Sequence, residues 1–447
     1  MESANRSEIV KQAFEQYDGQ VLGLSKEGLI SKYSKMLENP YTFFRGSAYL
    51  FFQDLLKHPL LTERKELPTW VQGDLHFENF GAFHDSEGEI VFDSNDFDEA
   101  YIGSYMLDVA RMVVSIVLVG ESLGFSKVEI ADAVQTYVKQ YEKQLRKYQS
   151  KERDPVTTQY SKKNTSGPIR KLLKKVEKRR SRATLLARFA EQTEEGLRFK
   201  RNDELESVES EVEAAIRANW PSYIRSIPAE ERMVEGNYEI KDIVHKRNSG
   251  TGSLGLERYY LLIEGADKSA DVQDDIVLEM KEARYSVLDA VLPTHEEFHA
   301  QFPHAGDQVV KSQRAMQHQT DPFLGVMTLS EKMYYVRERS PYKKKLAAQD
   351  ITSAEDFVET CKIMAKLTAK IHARADIDLE QGLLHYHSED AILRDIDADR
   401  KAWRKSLVRF AFEYTEQVKE DYQHFQRILQ NLGDQSQSQY GIIGDVS

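Results

Sequence analysis

Residues 71–83, VQGDLHFENFGAF, and residues 94–100, SNDFDEA, decide how this chain is read. Together they set Asp74, Asn79 and Asp96 close to one another, each beside bulky apolar neighbours. Charged groups are seldom left in apolar surroundings unless something pairs with them. A metal ion with a phosphate-bearing ligand is one such partner. Phosphoryl transfer asks a protein for an acceptor-hydroxyl partner, metal ligands and positioning. An aspartate on a loop can accept the hydroxyl proton. An asparagine shortly after it can turn back to Mg²⁺, and an aspartate beyond the next strand can bind the same ion. Mg²⁺ prefers a few hard oxygen ligands plus phosphate oxygens. Asp74, Asn79 and Asp96 supply those types in that order. The plainer reading is a set of polar turns between short strands. His76 reads as a structural histidine, since no second histidine stands at zinc spacing. Asp108 opens the apolar stretch YMLDVARMVVSIVL and is either an early-turn charge favoured by the helix dipole or a clamp for backbone amides of the loop before it.

Outward from this segment, TWVQ and EIVFD are short β-rich runs on either side of the turn-like HDSEGE. Residues 1–60 read as helices with a loop around ENPYTFFRGS, and 104–147 as helical. Residues 148–210 are strongly charged, basic in SKKNTSGPIRKLLKKVEKRRSR and acidic around it, which is the pattern of solvated helices and loops. From 237 to 340 the chain turns to strands, YEIKDIVHKR, LERYYLLIEG, DIVLEMKEA and KMYYVRER, interrupted by a helix around 304–319. Beyond 352 it is helical again. Thr352 and Glu355 fit a capping box, and Phe357, Cys361, Met364, Leu367 and Ile371 share one face.

SGTGSLGLERYYLLIEG carries G-x-G-x-x-G at Gly250, Gly252 and Gly255. In a dinucleotide fold such glycines open a helix. Here a β-rich segment follows, as in the loop that kinases fold over ATP phosphates. The alternative is an ordinary hairpin turn. Lys281 ends the next apolar strand, where a kinase holds a lysine against the phosphates; a solvent-facing strand end is the alternative. Its acidic partner stays open. The helix AGDQVVKSQRAMQHQ offers Asp307 and Gln313 but no glutamate.

The chain has 447 residues, a net charge of −12 and 40% hydrophobic residues. That allows sizeable cores in two to three domains or one bilobal unit. The acidic balance argues against general nucleic-acid binding. The single cysteine, Cys361, cannot form a disulfide within the chain, which suits a reducing compartment. The polar N-terminus lacks an apolar signal core. The apolar run 112–120 is too short to span a bilayer. A cytoplasmic protein with no membrane partner is expected.

GDLHFENF, then FDSNDFDEA, then LDVARM resemble the catalytic loop, metal loop and following helix of aminoglycoside phosphotransferases and choline kinases. More closely, the chain resembles the bacterial domain of unknown function 2252 family of the protein-kinase-like group. FFRGSAYLFFQDL, NSGTGSLGLERYYLLIEG, MKEARYSVL, QVVKSQRAMQHQTDPFLG, YYVRER and AKLTAKIHARAD carry this wider likeness over residues 43–376. The resemblance implies a bilobal α+β protein-kinase-like fold with helical additions. It implies catalytic roles for Asp74 and, as the brace of the catalytic loop, Asp108. It assigns metal to Asn79 and Asp96, and ATP to Gly250, Gly252, Ser253, Gly255 and Lys281. Gln72 stands where the phosphotransferases carry a histidine. The element order also differs, because the catalytic and metal loops precede the glycine loop. A circular permutation accounts for this, with KIMAKLTAKIHARAD as the helix leading into the catalytic loop. The expected parts are 1–150, with the catalytic and metal loops of the helical lobe; 151–235, a charged helical segment; 236–345, the strand-rich nucleotide lobe; and 346–447, helices completing the helical lobe. The expected function is Mg²⁺- and ATP-dependent phosphoryl transfer to a hydroxyl of an unknown small-molecule or protein acceptor. The alternatives are a nucleotide-binding pseudokinase or interaction module, and AMP transfer on the same fold. Arg45 is either a further phosphate contact or a surface arginine on a backbone carbonyl.

Overall fold

The computed structural model describes residues 2–64, 67–85, 87–179, 181–194, 196–233, 238–247, 255–265, 274–292, 301–379 and 383–440. It is an α+β structure with several antiparallel sheets. Four short strands surround the motif region. They are β1 (Thr69–Val71), β2 (Phe80–His84), β3 (Ile90–Ser94) and β4 (Tyr101–Gly103). β2 and β3 form a hairpin with Phe80 opposite Ser94, so the residues just outside it, Asn79 and Asn95, are brought side by side. β1 and β4 pair from Thr69–Gly103 to Val71–Tyr101. That closes residues 69–103 on themselves and gathers the loops between the strands at one end.

The hairpin β5 (Ala190–Thr193) and β6 (Gly196–Phe199) is a sheet of its own. A second sheet joins β7 (Leu205–Ser207), β8 (Ile240–Lys246), β9 (Arg258–Ile263), β10 (Ile276–Glu282), β11 (Gly325–Leu329) and β12 (Lys332–Glu338), in the order β11-β12-β10-β9-β8-β7. The segment 151–235 therefore supplies strands β5, β6 and β7 as well as charged helices. Lys344–Lys345 forms β13 and pairs with β2, tying the end of the large sheet's segment to the motif hairpin.

The large sheet is buried on both faces, and the period-2 pattern sorts its residues. Tyr259, Leu261, Ile263, Leu278 and Met280 pack under Ile216, Trp220 and Tyr223 of the helix Ser210–Ser226. Tyr260, Leu262 and Val277 face Leu186, Phe189, Leu197 and Phe199. Further along β10 the second face turns polar, with Glu279 and Lys281. Lys281 is flanked by Arg258 on β9 and Tyr335 on β12. An apolar face that turns charged at one end leaves a wall for a cavity.

The main core lies among helices. Tyr105–Ser122 is buried along almost all its length. Ala354–Arg374 packs along Lys127–Gln149 and against β1. Phe357, Cys361, Met364, Leu367 and Ile371 are all fully buried. The cap of this helix is Ser353, whose hydroxyl accepts from Asp356 N at 3.1 Å. The capping role thus falls one residue after the Thr352 expected from sequence. The expected loop at ENPYTFFRGS is instead a helix, Pro40–Gly46. Pro40 is preorganised at its first turn, and Asn39 and Thr42 form a capping box. The helix expected around 304–319 spans Ala305–Met316. No helix among the described residues is long and apolar enough to cross a membrane.

Candidate active site

The loop after β1 is built around Gly73. Its φ is +85°, and a Cβ there would sit 1.7 Å from the carbonyl oxygen of Glu99. Only glycine lets the two loops approach this closely. Gln72 then staples them together. Its Nε2 donates to the carbonyl of Asp96 at 2.6 Å, and its Oε1 accepts from Asp74 N at 3.1 Å. Beneath lies Asp108, fully buried. It accepts from Gln72 N at 2.7 Å, Gly73 N at 2.9 Å and His372 Nε2 at 3.1 Å. Asp108 thus clamps the loop's backbone amides, although it also sits in the first turn of its helix.

His76 is structural in its contacts. Its Nδ1 accepts from Glu78 N at 3.2 Å and caps the short helix Phe77–Asn79. Burial, with Arg45 and Lys345 nearby, pushes its imidazole well below the usual range. The Oδ1 of Asn79 accepts from His76 N at 2.8 Å. That places Asn79 under the loop, buried, and outside the residues that line the cavity described below.

Asp74 meets a partner that the sequence reading did not name. Arg111, one turn beyond Asp108, is fully buried and donates through Nε to Asp74 Oδ1 at 2.5 Å. Its Nη2 donates to the carbonyl of Phe44 at 3.1 Å, and its guanidinium lies 4.2 Å from the Phe44 ring centroid. Burial raises the Asp74 carboxyl above the usual carboxylate range, with Arg111 opposing. Arg45 pairs with Glu78 at 2.6 Å at the cavity edge, rather than with a backbone carbonyl.

Lys281 also finds its acidic partner here. Its ammonium pairs with Asp98, which accepts a further hydrogen bond from the Tyr335 hydroxyl at 2.9 Å. Burial disfavours both charges. Lys281 nevertheless brings the Asp98 carboxyl down to about 2, and Asp98 in turn raises Lys281. The neighbouring Glu99 is pushed up to about 8, first by burial and then by Asp74, Asp98 and Asp96, with the Val287 amide opposing.

These groups enclose one cavity of ≈ 310 Å³. Asp74, Asp96, Asp98 and Glu99 form an acidic wall; Lys281, Arg258, Arg337 and Lys343 come from the sheet side. Glu279 lies between Arg258 and Arg337, at 3.1 and 2.8 Å, and holds them in place. Both amide atoms of Asn95 are buried without a hydrogen-bond partner where it lines this cavity. Carboxylates facing cations across a small cavity suit a metal ion bound with an anion, because each wall needs the opposite charge. Asp96, Asp74 and Asn95 offer hard oxygens of the kind Mg²⁺ takes. Gly255, with φ +77°, stands near Leu24 at the cavity lip. Gly250, Gly252 and Ser253 lie outside the described residues.

The cavity therefore gathers Asp74, Asp96 and Lys281, sets Asp108 beneath it, and leaves the side chain of Asn79 engaged elsewhere. Asp98, Arg111, Arg258, Arg337 and Asn95 were not singled out by sequence. Asp98 had a signal, lying two residues after Asp96 in NDFDEA. Arg111 had another, lying three residues after Asp108 on the same apolar helix. Searches of curated proteins and of solved structures each gave no match. Residues 25–428 match the family described as "Uncharacterized protein conserved in bacteria (DUF2252)", and the chain belongs to that family.

Proposed function

We propose that this protein is a Mg²⁺-dependent ATP phosphotransferase acting on a hydroxyl group, with a protein-kinase-like arrangement whose chain order is rotated. One observation carries the reading. Asp74, Asp96 and Lys281 come from separate segments and line one cavity, with Lys281 and Asp98 bridging the sheet to the motif loops. The element order supports it as well. Hairpin β8–β9, lysine strand β10, the helix Ala305–Met316 and strands β11–β12 follow one another as in a kinase nucleotide lobe. The helix Ala354–Arg374 then ends beside β1, where Thr69 Oγ1 donates to the His372 carbonyl at 2.6 Å. That is where a kinase chain would run from this helix into its catalytic loop.

Bound Mg²⁺–ATP would supply the electrophilic phosphorus and the charge neutralisation. Lys281, Arg258 and Arg337 would hold phosphate oxygens. Asp96 would hold the metal, and Asn95 is better placed than Asn79 to assist it. Asp74 would orient the acceptor hydroxyl and take its proton, while Arg111 fixes the carboxylate's direction. Gln72 and Asp108 would hold the spacing between Asp74 and Asp96.

Thermal-shift titration with ATP, with and without Mg²⁺, tests the binding half. At a hundred times its dissociation constant the ligand should stabilise by about 2.7 kcal/mol. No response to any nucleotide at millimolar concentration would remove the proposal. Mass spectrometry of the modified acceptor tests the chemistry. Added phosphate supports it. Added AMP assigns nucleotidyl transfer instead, and binding without turnover assigns an interaction module.

A further inference from the structure

A second group of side chains lies outside the cleft, where Ala354–Arg374 gives way to the helix Ser388–Ala398. Asp376 is fully buried. Its Oδ1 accepts from Asp378 N at 3.0 Å and its Oδ2 from Ser388 N at 2.9 Å. Glu389 is 5% exposed, and its Oε2 is buried with no hydrogen-bond partner. Between them stands His387, whose Nδ1 is also buried without a hydrogen bond. That nitrogen lies 3.5 Å from Asp378 Oδ2, 3.9 Å from Glu389 Oε1 and 4.0 Å from Asp376 Oδ2. One ligand atom each from Asp376, His387 and Glu389 all lie within 4.8 Å of one another.

The unused Nδ1 is out of character for this chain. His58, His76 and His304 stand at the same N-cap position of their helices, and each accepts a backbone N–H two residues on through Nδ1. His387 is the N-cap of Ser388–Ala398 and caps nothing. Asp376 takes the Ser388 amide instead, and the imidazole faces carboxylates. Among the described residues, no lysine or arginine forms an ion pair with Asp376, Asp378 or Glu389. Without a cation, burial and the Asp376 carboxylate beside it push the Glu389 carboxyl above its usual range, so the pair is held by a proton that a metal ion would displace.

We propose that Asp376, His387 and Glu389 bind one divalent transition-metal ion, Zn²⁺ by preference, with Asp378 at the rim. An imidazole nitrogen with carboxylate oxygens suits Zn²⁺, whereas Mg²⁺ keeps to oxygen ligands and water. Bonds of about 2.0–2.2 Å in a tetrahedron put ligand atoms about 3.3–3.6 Å apart. The two histidine–carboxylate pairs stand at 3.9 and 4.0 Å and the set spreads up to 4.8 Å, so the side chains have to close by about half an ångström or more. The ion would fasten the end of Ala354–Arg374, which carries His372 and so one of the contacts of Asp108. It would be structural and separate from the phosphoryl-transfer cleft.

The test uses the full-length chain, stripped with chelator and dialysed, then titrated with Zn²⁺ alone. Metal retained after a second dialysis and the melting temperature are both read. Wild type and Asp96→Asn should keep about one Zn²⁺ per chain and melt higher with it. Loss of even an outer-shell partner typically costs 10–100-fold in affinity, so His387→Ala and Glu389→Gln should weaken binding by at least about tenfold. Glu389→Gln keeps the shape and removes a charge, so it remains a folded comparison if His387→Ala does not fold. Wild type that retains no Zn²⁺ overturns the proposal. So does undiminished retention in either folded variant, or loss of the ion in Asp96→Asn, which would move it to the cleft.

Discussion

Replacing Asp108 tests the floor of the site. Its carboxylate is the acceptor for three donors, the amides of Gln72 and Gly73 and the Nε2–H of His372. Asp108→Ala orphans all three in a fully buried place. Each unmet donor costs about 1–3 kcal/mol, so the sum is roughly 3–9 kcal/mol. That approaches the whole margin of an ordinary domain, about 5–15 kcal/mol, and Asp108→Ala should be recovered poorly folded. Asp108→Asn is the sharper probe. One side-chain oxygen remains to accept, and the new NH₂ opposes a backbone N–H. His372 can change tautomer to receive that NH₂, because its other nitrogen meets the Tyr141 hydroxyl at 2.7 Å. One amide is then left unmet and the charge is gone, for a cost of about 2–4 kcal/mol. With an unfolding entropy of about 2.1 cal/mol/K per residue over a chain unfolding as one unit, that lowers the melting temperature by about 2–4 °C. Differential scanning calorimetry reads the shift, and nucleotide titration of the same sample reads the site. Turnover should fall while ATP affinity holds. If Asp108→Ala melts with wild type, the three hydrogen bonds do not support the loop and the clamp account is wrong.

Lys281→Met should abolish Mg²⁺–ATP stabilisation and destabilise the free protein. The cost is less than the about 3–5 kcal/mol of a fully buried pair, since Asp98 keeps part of its surface in the cleft. Adding Asp98→Asn should recover most of that stability without recovering nucleotide binding; a double variant as unstable as the single one, measured in urea, refutes the pairing. Asp74→Asn should lower turnover by about a hundred- to ten-thousand-fold while sparing nucleotide affinity. It also strands the fully buried Arg111, so a companion Arg111→Met should return stability but not turnover. Loss of ATP binding in the folded Asp74→Asn variant would assign that aspartate to the metal instead. Glu99 gives a pH test. Its folded value of about 8 stands above its ordinary value of 4.5, so the folded state holds the proton more tightly. Its stabilising contribution is full below 4.5 and is lost as pH rises toward 8. Glu99→Gln should flatten the fall in stability over that window, and unfolding curves parallel to wild type would contradict the assignment.

The strands β8, β9, β10 and β12 were legible because aromatic and branched residues with strand periodicity end at glycine and charged punctuation. The buried face of Ala354–Arg374 was legible from its helical spacing. Asp74, Asp96 and Lys281 could be singled out because each breaks an apolar pattern. What tertiary structure alone supplies was harder. Asp98 meets Lys281 across 183 positions of sequence, and nothing local marks that pairing. Arg111 lies inside a run that reads as plain core, and full burial of an arginine is improbable until its partner is known. Asn79 has the right spacing, but a turn's need for a cap decides where its oxygen points. The helix Pro40–Gly46 was masked by a proline and an asparagine, which mark a loop as readily as a helix start.

The Thr69–His372 contact has a consequence for how the protein is made. These residues are 303 positions apart, and Lys281 meets Asp98 across 183. A chain leaving the ribosome presents Asp74, Asp96, Asp98 and Asp108 early, a cluster of carboxylates with Arg111 as the nearby cation. The lysine strand arrives much later, and His372 later still. Contacts of such long range form slowly, because chain-closure entropy is paid before they repay it. The nascent N-terminal part should therefore wait, acidic and incompletely packed, until the last third of the chain has been synthesised. A product stopped before residue 354 would carry the aspartates and the lysine strand of the cleft and still lack the helix whose His372 meets Asp108.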